Sequence, residues 1–186
     1  VNIQDYMCWF VTYNLHWGTD IGIPTFYHMD EMVTPVLAAA DGIVVYTHDG
    51  VFDRQLEWVN GAVGNAVIIR QSDDTEGLYW HFKKHSMQVS LGDTVQAGDT
   101  LAFVGSSGFA TWPHLHFEVQ DPNGYLIDPW TGPCGADQTM WDDQYVHAAM
   151  TPSHVTNFIS SSYPVPNDPA VRTRTRLNSS LVLISY

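Results

Sequence analysis

The sequence predicts a mainly β chain: a small antiparallel β-sheet or barrel-sandwich-hybrid unit with long loops and little helix. Three observations lead there. Short runs alternate apolar and polar residues, and a period of two is the signature of a strand. The stretch 89–105 sets apolar residues around Gly92-Asp93 and Gly98-Asp99, the rhythm of short strands joined by tight turns. No long stretch carries the 3.6-residue periodicity of an amphipathic helix.

In chain order, residues 1–13 form a leading segment with a short apolar patch from Met7 to Val11. His16-Trp17-Gly18-Thr19-Asp20 then runs into Ile21-Gly22-Ile23-Pro24. A strand beginning near Gly18 puts Asp20 on one face and Ile21 on the other, and Gly18 lets the backbone turn so that His16 and Asp20 converge. Residues 25–34 read as a loop. From Thr34 to Tyr46 the chain reads as two strands about Asp41-Gly42, a dipeptide that signals a hairpin. Residues 47–64 read as a second loop, whose Phe52, Leu56 and Trp58 either lie over a cleft or pack against the body of the protein, packing being the preferred reading. Residues 65–70 are a strand, 73–77 a turn, and Leu78-Tyr79-Trp80-His81-Phe82 the returning strand.

The next strand carries most of the chemistry. In Pro113-His114-Leu115-His116-Phe117-Glu118-Val119, alternation puts His114 and His116 side by side on one face. Leu115, Phe117 and Val119 point to the other face, toward a core. Asp121-Pro122-Asn123-Gly124 is a turn, and Ile127-Asp128-Pro129-Trp130 closes the unit near Cys134. The domain division expected is therefore 1–134, with 135–186 an extension or linker. That tail is rich in Ser, Thr, Asn, Asp and Pro. Leu181-Val182-Leu183-Ile184 is one more strand-like run, which reads as the start of a further module.

The 186 residues suffice for one domain with a sizeable core. Seven Lys and Arg against twenty Asp and Glu leave a formal charge of −13. That argues against a nucleic-acid role, where basic side chains supply most of the affinity, and it suits a chain kept monomeric by self-repulsion. No apolar run is long enough to span a membrane, and no basic-then-apolar leader is present. Cys8 and Cys134 stand outside any Cys-x-x-Cys pair and bracket the segment that holds the candidate ligands. A disulfide between them fits a secreted protein, and closing so long a loop would stabilise it by about 4–5 kcal/mol in the loop-entropy model.

His16, Asp20 and one histidine of the pair make a nitrogen and oxygen set suited to zinc. Three protein ligands leave a fourth position for water, the catalytic arrangement. His81 and the other histidine of the pair bring the count to five groups, one more than a closed structural site uses. Alternation alone leaves open which of His114 and His116 binds. The remaining histidines have ordinary explanations: His28, His48 and His85 lie in loops, and His147 and His154 in the tail. Asp41 and Asp128 sit in turns, where backbone hydrogen bonds are the usual role. Trp112 and Tyr46 read as core or rim packing.

In order along the chain, His16-x-x-x-Asp20, Gly64-Asn65-x-Val67-x-Ile69, His81, and Gly105-x-x-Gly108 leading to His114-Leu115-His116-Phe117-Glu118-Val119 resemble the lysostaphin/LytM-type zinc endopeptidases over about residues 13 to 130. The resemblance implies a small antiparallel β fold with a groove. It also implies cleavage of peptide bonds in bacterial cell-wall peptidoglycan, outside the cytoplasm. Carried over by position, it implies one Zn2+ held by His16, Asp20 and His116. His81 and His114 would orient the water and stabilise the oxyanion. Glycine bridges, D-alanine cross-links and glycine-rich proteins all fall within the family's range. Tyr79-Trp80-His81-Phe82-Lys83 departs from the family's usual Tyr-x-His-Leu, and residues 25–33 and 47–63 are longer than in its shortest members. Two other classes compete. A non-catalytic relative would use the groove to activate a partner hydrolase, but such relatives lack ligands and here all five residues are present. A lipoyl-type carrier would need a lysine at a hairpin tip, and Lys83-Lys84 is not one.

Overall fold

In a computed structural model the alternating runs become strands of one antiparallel sheet. The structure describes residues 4–10, 16–142 and 144, and the backbone of 155–157. Along the chain lie β1 (Thr19–Gly22), α1 (Phe26–Asp30), β2 (Pro35–Leu37), β3 (Gly42–His48), β4 (Ala66–Arg70) and β5 (Glu76–Trp80). There follow β6 (Thr94–Val95), β7 (Thr100–Phe103), β8 (His114–Gln120), β9 (Leu126–Ile127) and β10 (Val155–Asn157). The main sheet runs β10-β1-β8-β5-β4-β3-β6, with β9 paired to β8, and β2 pairs with β7 in a second, two-stranded sheet. Every strand pairing is antiparallel. No helix among the described residues is long and apolar enough to cross a membrane.

β8 organises the sheet because alternation gives it two different faces. Leu115, Phe117 and Val119 are all at most 3% exposed and enter the core, which also takes in Ile21, Val67, Ile69, Tyr79 and Leu101. His114, His116, Glu118 and Gln120 occupy the opposite, partly open face. Burial of several aromatic and branched side chains, each contributing about 1.5–3 kcal/mol, fixes the strand's register, since a one-residue slip would invert both faces.

Two expectations change. Asp41-Gly42 does turn the chain, but β2 and β3 do not pair with each other. β2 pairs with β7, while β3 lies between β4 and β6. A turn dipeptide reports a reversal of direction and says nothing about the partner. The stretch 25–34 holds α1, a single turn whose N-cap is Thr25, with its side chain accepting from the His28 backbone N–H. The Gly-Asp stretch behaves as read: Asp93 and Asp99 accept from Ser90 and Gln96 N–H, closing tight turns ahead of β6 and β7.

Cys8 and Cys134 form a disulfide with Cα atoms 5.2 Å apart. The leading segment is packed there: Cys134 N–H donates to Tyr6 O, and the Tyr6 ring stacks on Trp130 at 5.4 Å. Residues past Cys134 also enter the core. Trp141 lies 5.1 Å from Trp130 and 5.9 Å from Phe117, ring centre to ring centre. Asp128 takes its expected turn role, accepting from Trp130 N–H, but it is buried, and burial together with the charge of Asp5 pushes its carboxyl up to about 8.

Candidate metal centre

The centre begins with sheet register. Asp20 on β1 stands directly opposite His116 on β8, while Gly22 stands opposite His114. His16 reaches the same point from the segment before β1. The three donor atoms form a small triangle. His116 Nδ1 lies 2.8 Å from Asp20 Oδ1, His16 Nε2 lies 2.9 Å from the same oxygen, and the two nitrogens are 3.0 Å apart. Two imidazole nitrogens and a carboxylate oxygen turned to one point are a set that fits zinc. The three side chains could hold such an ion together, and among the described residues they are the group so arranged.

Gly18 matters here for a reason other than a backbone turn. A Cβ at Gly18 would lie 2.4 Å from Phe117 O and 2.8 Å from His116 Nε2. The strand approaches β8 so closely that no side chain fits, which is what lets His16 and Asp20 meet His116.

His81 and His114 flank the triangle. Their rings are 4.6 Å apart, and His81 is 5.8 Å from the His116 ring. His114 Nε2 is 3.6 Å from Asp20 Oδ1. Each is anchored through Nδ1 to a carbonyl oxygen, His81 to Ser107 at 2.7 Å and His114 to Trp112 at 2.6 Å. A carbonyl only accepts, so Nδ1 carries the proton and Nε2 keeps the lone pair while the ring is neutral. His81 leaves β5 with φ 70°, a left-handed conformation that non-glycine residues hold only when their surroundings impose it.

Asn65 imposes it. Its side chain donates to Phe82 O and Val51 O and accepts from Val51 N–H, while its own N–H donates to the Ser107 hydroxyl. Gly64 and Gly108 let Ser107 approach: a Cβ at Gly108, where φ is 75°, would lie 2.4 Å from Gly64 N. Gly64-Asn65 and Gly105-x-x-Gly108 are thus one support, holding the carbonyl that fixes His81.

The charges follow from these contacts. Burial would raise the Asp20 carboxyl, but the charge of His114 and hydrogen bonds from His116 and His16 hold it well below the usual carboxylate range. Burial, then the neighbouring His114 and His116, keeps His81 well below the usual imidazole range. Burial likewise lowers His16. Burial acts downward on His116 too, yet Asp20 and Glu118 together push it up to about 9.

Glu118 was not singled out from the sequence as a site residue, although period-two spacing from His116 puts it on the same face. The aromatic loops also differ from expectation. Phe52, Leu56 and Trp58 are 57–66% exposed rather than packed inside. Trp58 stacks on Phe109 at 5.7 Å, and Trp112, on the rim, meets Phe26 edge-on at 5.6 Å. Arg54 lies over the Phe26 ring and pairs with Asp30, so it ties the loop after β3 to α1. His28 is half-buried on α1, His85 is exposed and His48 Nδ1 meets Gly64 O, so none of the three joins the triangle. His147 and His154 lie outside the described residues.

The family model for peptidase family M23 matches residues 14–129. The chain is 35% identical over 118 residues to the DD-carboxypeptidase/endopeptidase Mpg of Neisseria meningitidis, an alignment covering 63% of this chain and 23% of that protein. It is 29% identical over 136 residues to lysostaphin of Staphylococcus simulans, covering 67% of this chain and 24% of that protein. Among solved structures, the catalytic domain of the prophage-encoded M23 protein EnpA from Enterococcus faecalis, a point mutant, has 28% identity and a TM-score of 0.49, over 68% of this chain and 86% of that one. The chain spans about a quarter of the length of the curated relatives it matches.

Proposed function

The chain belongs to peptidase family M23, and from that membership we propose that it is a zinc-dependent endopeptidase hydrolysing peptide bonds of bacterial cell-wall peptidoglycan. The observation that carries this reading is the 2.8–3.0 Å triangle of His16 Nε2, Asp20 Oδ1 and His116 Nδ1. Those three residues would hold the metal. When bound, zinc supplies Lewis acidity, lowering the pKa of a water toward neutrality and polarising the scissile carbonyl.

The chain's own residues do the rest. His81 and His114 turn Nε2 toward the site because their Nδ1 protons are committed to Ser107 O and Trp112 O. A neutral ring there accepts a hydrogen bond from the attacking water and orients it; once protonated, it donates to the oxygen on which negative charge develops. The low proton affinity of His81 keeps it neutral at the outset. The acidic balance disfavours tight electrostatic attraction to an anionic cell wall. The disulfide supports an extracytoplasmic setting, since such bonds persist in oxidising surroundings. We assign 1–134 to the peptidase unit and 135–186 to an extension that lies on it, with Met140 and Trp141 in its core and β10 at its sheet edge, and take the active form to be a monomer.

The test pairs metal content with release of muropeptides from peptidoglycan sacculi. About one zinc per chain is expected, lost in His116→Ala and kept in His81→Ala, with hydrolysis lost in both. For His81→Ala the fall should be roughly a hundred- to ten-thousand-fold, the scale of a positioned acid–base group. Absence of zinc from the wild-type chain after gentle purification would sink the reading. Zinc without cleavage of any wall type would favour the groove-binding, partner-activating alternative.

A further inference from the structure

His116 is gripped from two sides. Its Nδ1 joins the triangle with Asp20 and His16, and its Nε2 lies 2.9 Å from Glu118 Oε1. The other oxygen of that carboxylate, Oε2, accepts from Gln120 Nε2 at 3.1 Å. Both partners stand on the open face of β8 because they follow His116 by two and four residues. The apolar Leu78 stands opposite Glu118 on β5, and only 12% of the Glu118 side chain is exposed. Gly18 keeps the place clear on the other side, since a Cβ there would lie 3.0 Å from Glu118 Cγ and 2.8 Å from His116 Nε2. A carboxylate this sheltered is tolerated only when its oxygens are satisfied, and here both are.

With Oε2 already accepting from Gln120, Oε1 is the acceptor turned to the ring, and the imidazole Nε2–H is the donor of the 2.9 Å contact. That settles which atom faces the triangle. A ring held by nothing at Nε2 can flip about its χ2 axis, and the flip would turn Cδ2, which binds nothing, to where Nδ1 now stands. We propose that Glu118 is a positioning residue for the metal centre: its carboxylate holds the Nε2–H of His116, with Gln120 holding the carboxylate, and thereby presents Nδ1 as the donor atom. The consequence for zinc rests on the function proposed above; the pairing itself does not. Partners of this kind behind a ligating histidine typically change metal affinity by about 10–100-fold when removed.

Two measurements on the full chain test this. Zinc affinity is read by competition with a chromogenic chelator in the wild type, Glu118→Ala and Glu118→Gln. Imidazole 1H–15N correlation spectra of the metal-free proteins report whether the His116 Nε2–H is protected from exchange. The wild type is expected to show a protected Nε2–H. Glu118→Ala should lose it and bind zinc about 10–100-fold more weakly. Glu118→Gln keeps an accepting oxygen at the same place and should restore both most of the way, which a loss of general packing would not. A wild type without a protected Nε2–H overturns the proposal, as does a Glu118→Ala protein that binds zinc with undiminished affinity. A wild type that shows the protected proton but takes up no zinc would sink the zinc reading while upholding the pairing, so the two failures are separable.

Discussion

The floor of the site and its walls are held by different physics. On the floor, Asp20 and His116 meet because β1 and β8 pair in one register, and Trp80 on β5 stands opposite His116 from the other side. Behind those residues, Leu115, Phe117 and Tyr79 are at most 3% exposed. The walls are loops whose aromatic side chains are largely in solvent. Phe52, Leu56, Trp58 and Phe109 are 43–66% exposed; Trp58 stacks on Phe109, and the Arg54–Asp30 pair ties the loop after β3 to α1. Asp20 and His116 are thus tied to the whole fold, and moving either means breaking the sheet. The walls can be rebuilt without unfolding anything, which is where variation in substrate choice belongs.

Acidity should separate the two regions most sharply. Asp128, buried beside Trp130 and Gly135 and away from the loops, keeps its proton in the folded chain up to about 8, whereas the unfolded chain releases it near 3.8. Between those values the folded state binds more protons, so this group makes stability fall as pH rises through the window, by up to about 1.4 kcal/mol per pH unit, and level off above it. Asp20, held low, acts the other way, and only as pH falls below its unfolded value. Urea midpoints across pH should show the decline, and Asp128→Asn should flatten it; an equally steep slope in the variant would remove Asp128 from the explanation.

Cutting the core behind the floor comes next. Phe117→Ala should cost about 3–5 kcal/mol in chemical denaturation and weaken zinc binding with it, because Phe117 fixes the face that His116 and Glu118 present. Asn65→Ala is expected to cost about 1–3 kcal/mol by leaving the buried Phe82 and Val51 carbonyls without a donor. Its turnover should fall further than its stability implies, since the His81 support loosens. At the wall, Trp58→Ala should change stability by no more than about 0.5 kcal/mol, leave zinc content unchanged and act through KM. If Trp58→Ala lowered zinc affinity as strongly as Phe117→Ala, the division between floor and walls would be wrong.

The floor was the more legible region, because alternation is local. Seven residues of β8 and the opposed faces of Asp20 and Ile21 could be read directly. Period two treats His114 and His116 alike, however, and only pairing with β1 places Asp20 opposite one of them. The same gap misplaced the partners of β2 and β3, since Asp41-Gly42 encodes a reversal and pairing is settled by distant β7 and β4. α1 escaped notice because a single helical turn is too short to show a period. Gly18 looked like a hinge, and its true constraint, the backbone of Phe117, lies a hundred residues away. The loop aromatics read as packing because sequence shows that a side chain is apolar, not whether anything covers it.

The join between Cys8 and Cys134 also has a mechanical meaning. The two flanks of the sheet-bearing unit leave from points whose Cα atoms are 5.2 Å apart. Tension applied at Cys8 and Cys134 themselves would run across one covalent bond, whereas the chain past Cys134 also adds β10 beside β1 and places Trp141 in the core. The clasp therefore fastens the two ends of the ligand-bearing segment to each other, and β10 beside Asp20 adds a second tie on the same side of the sheet.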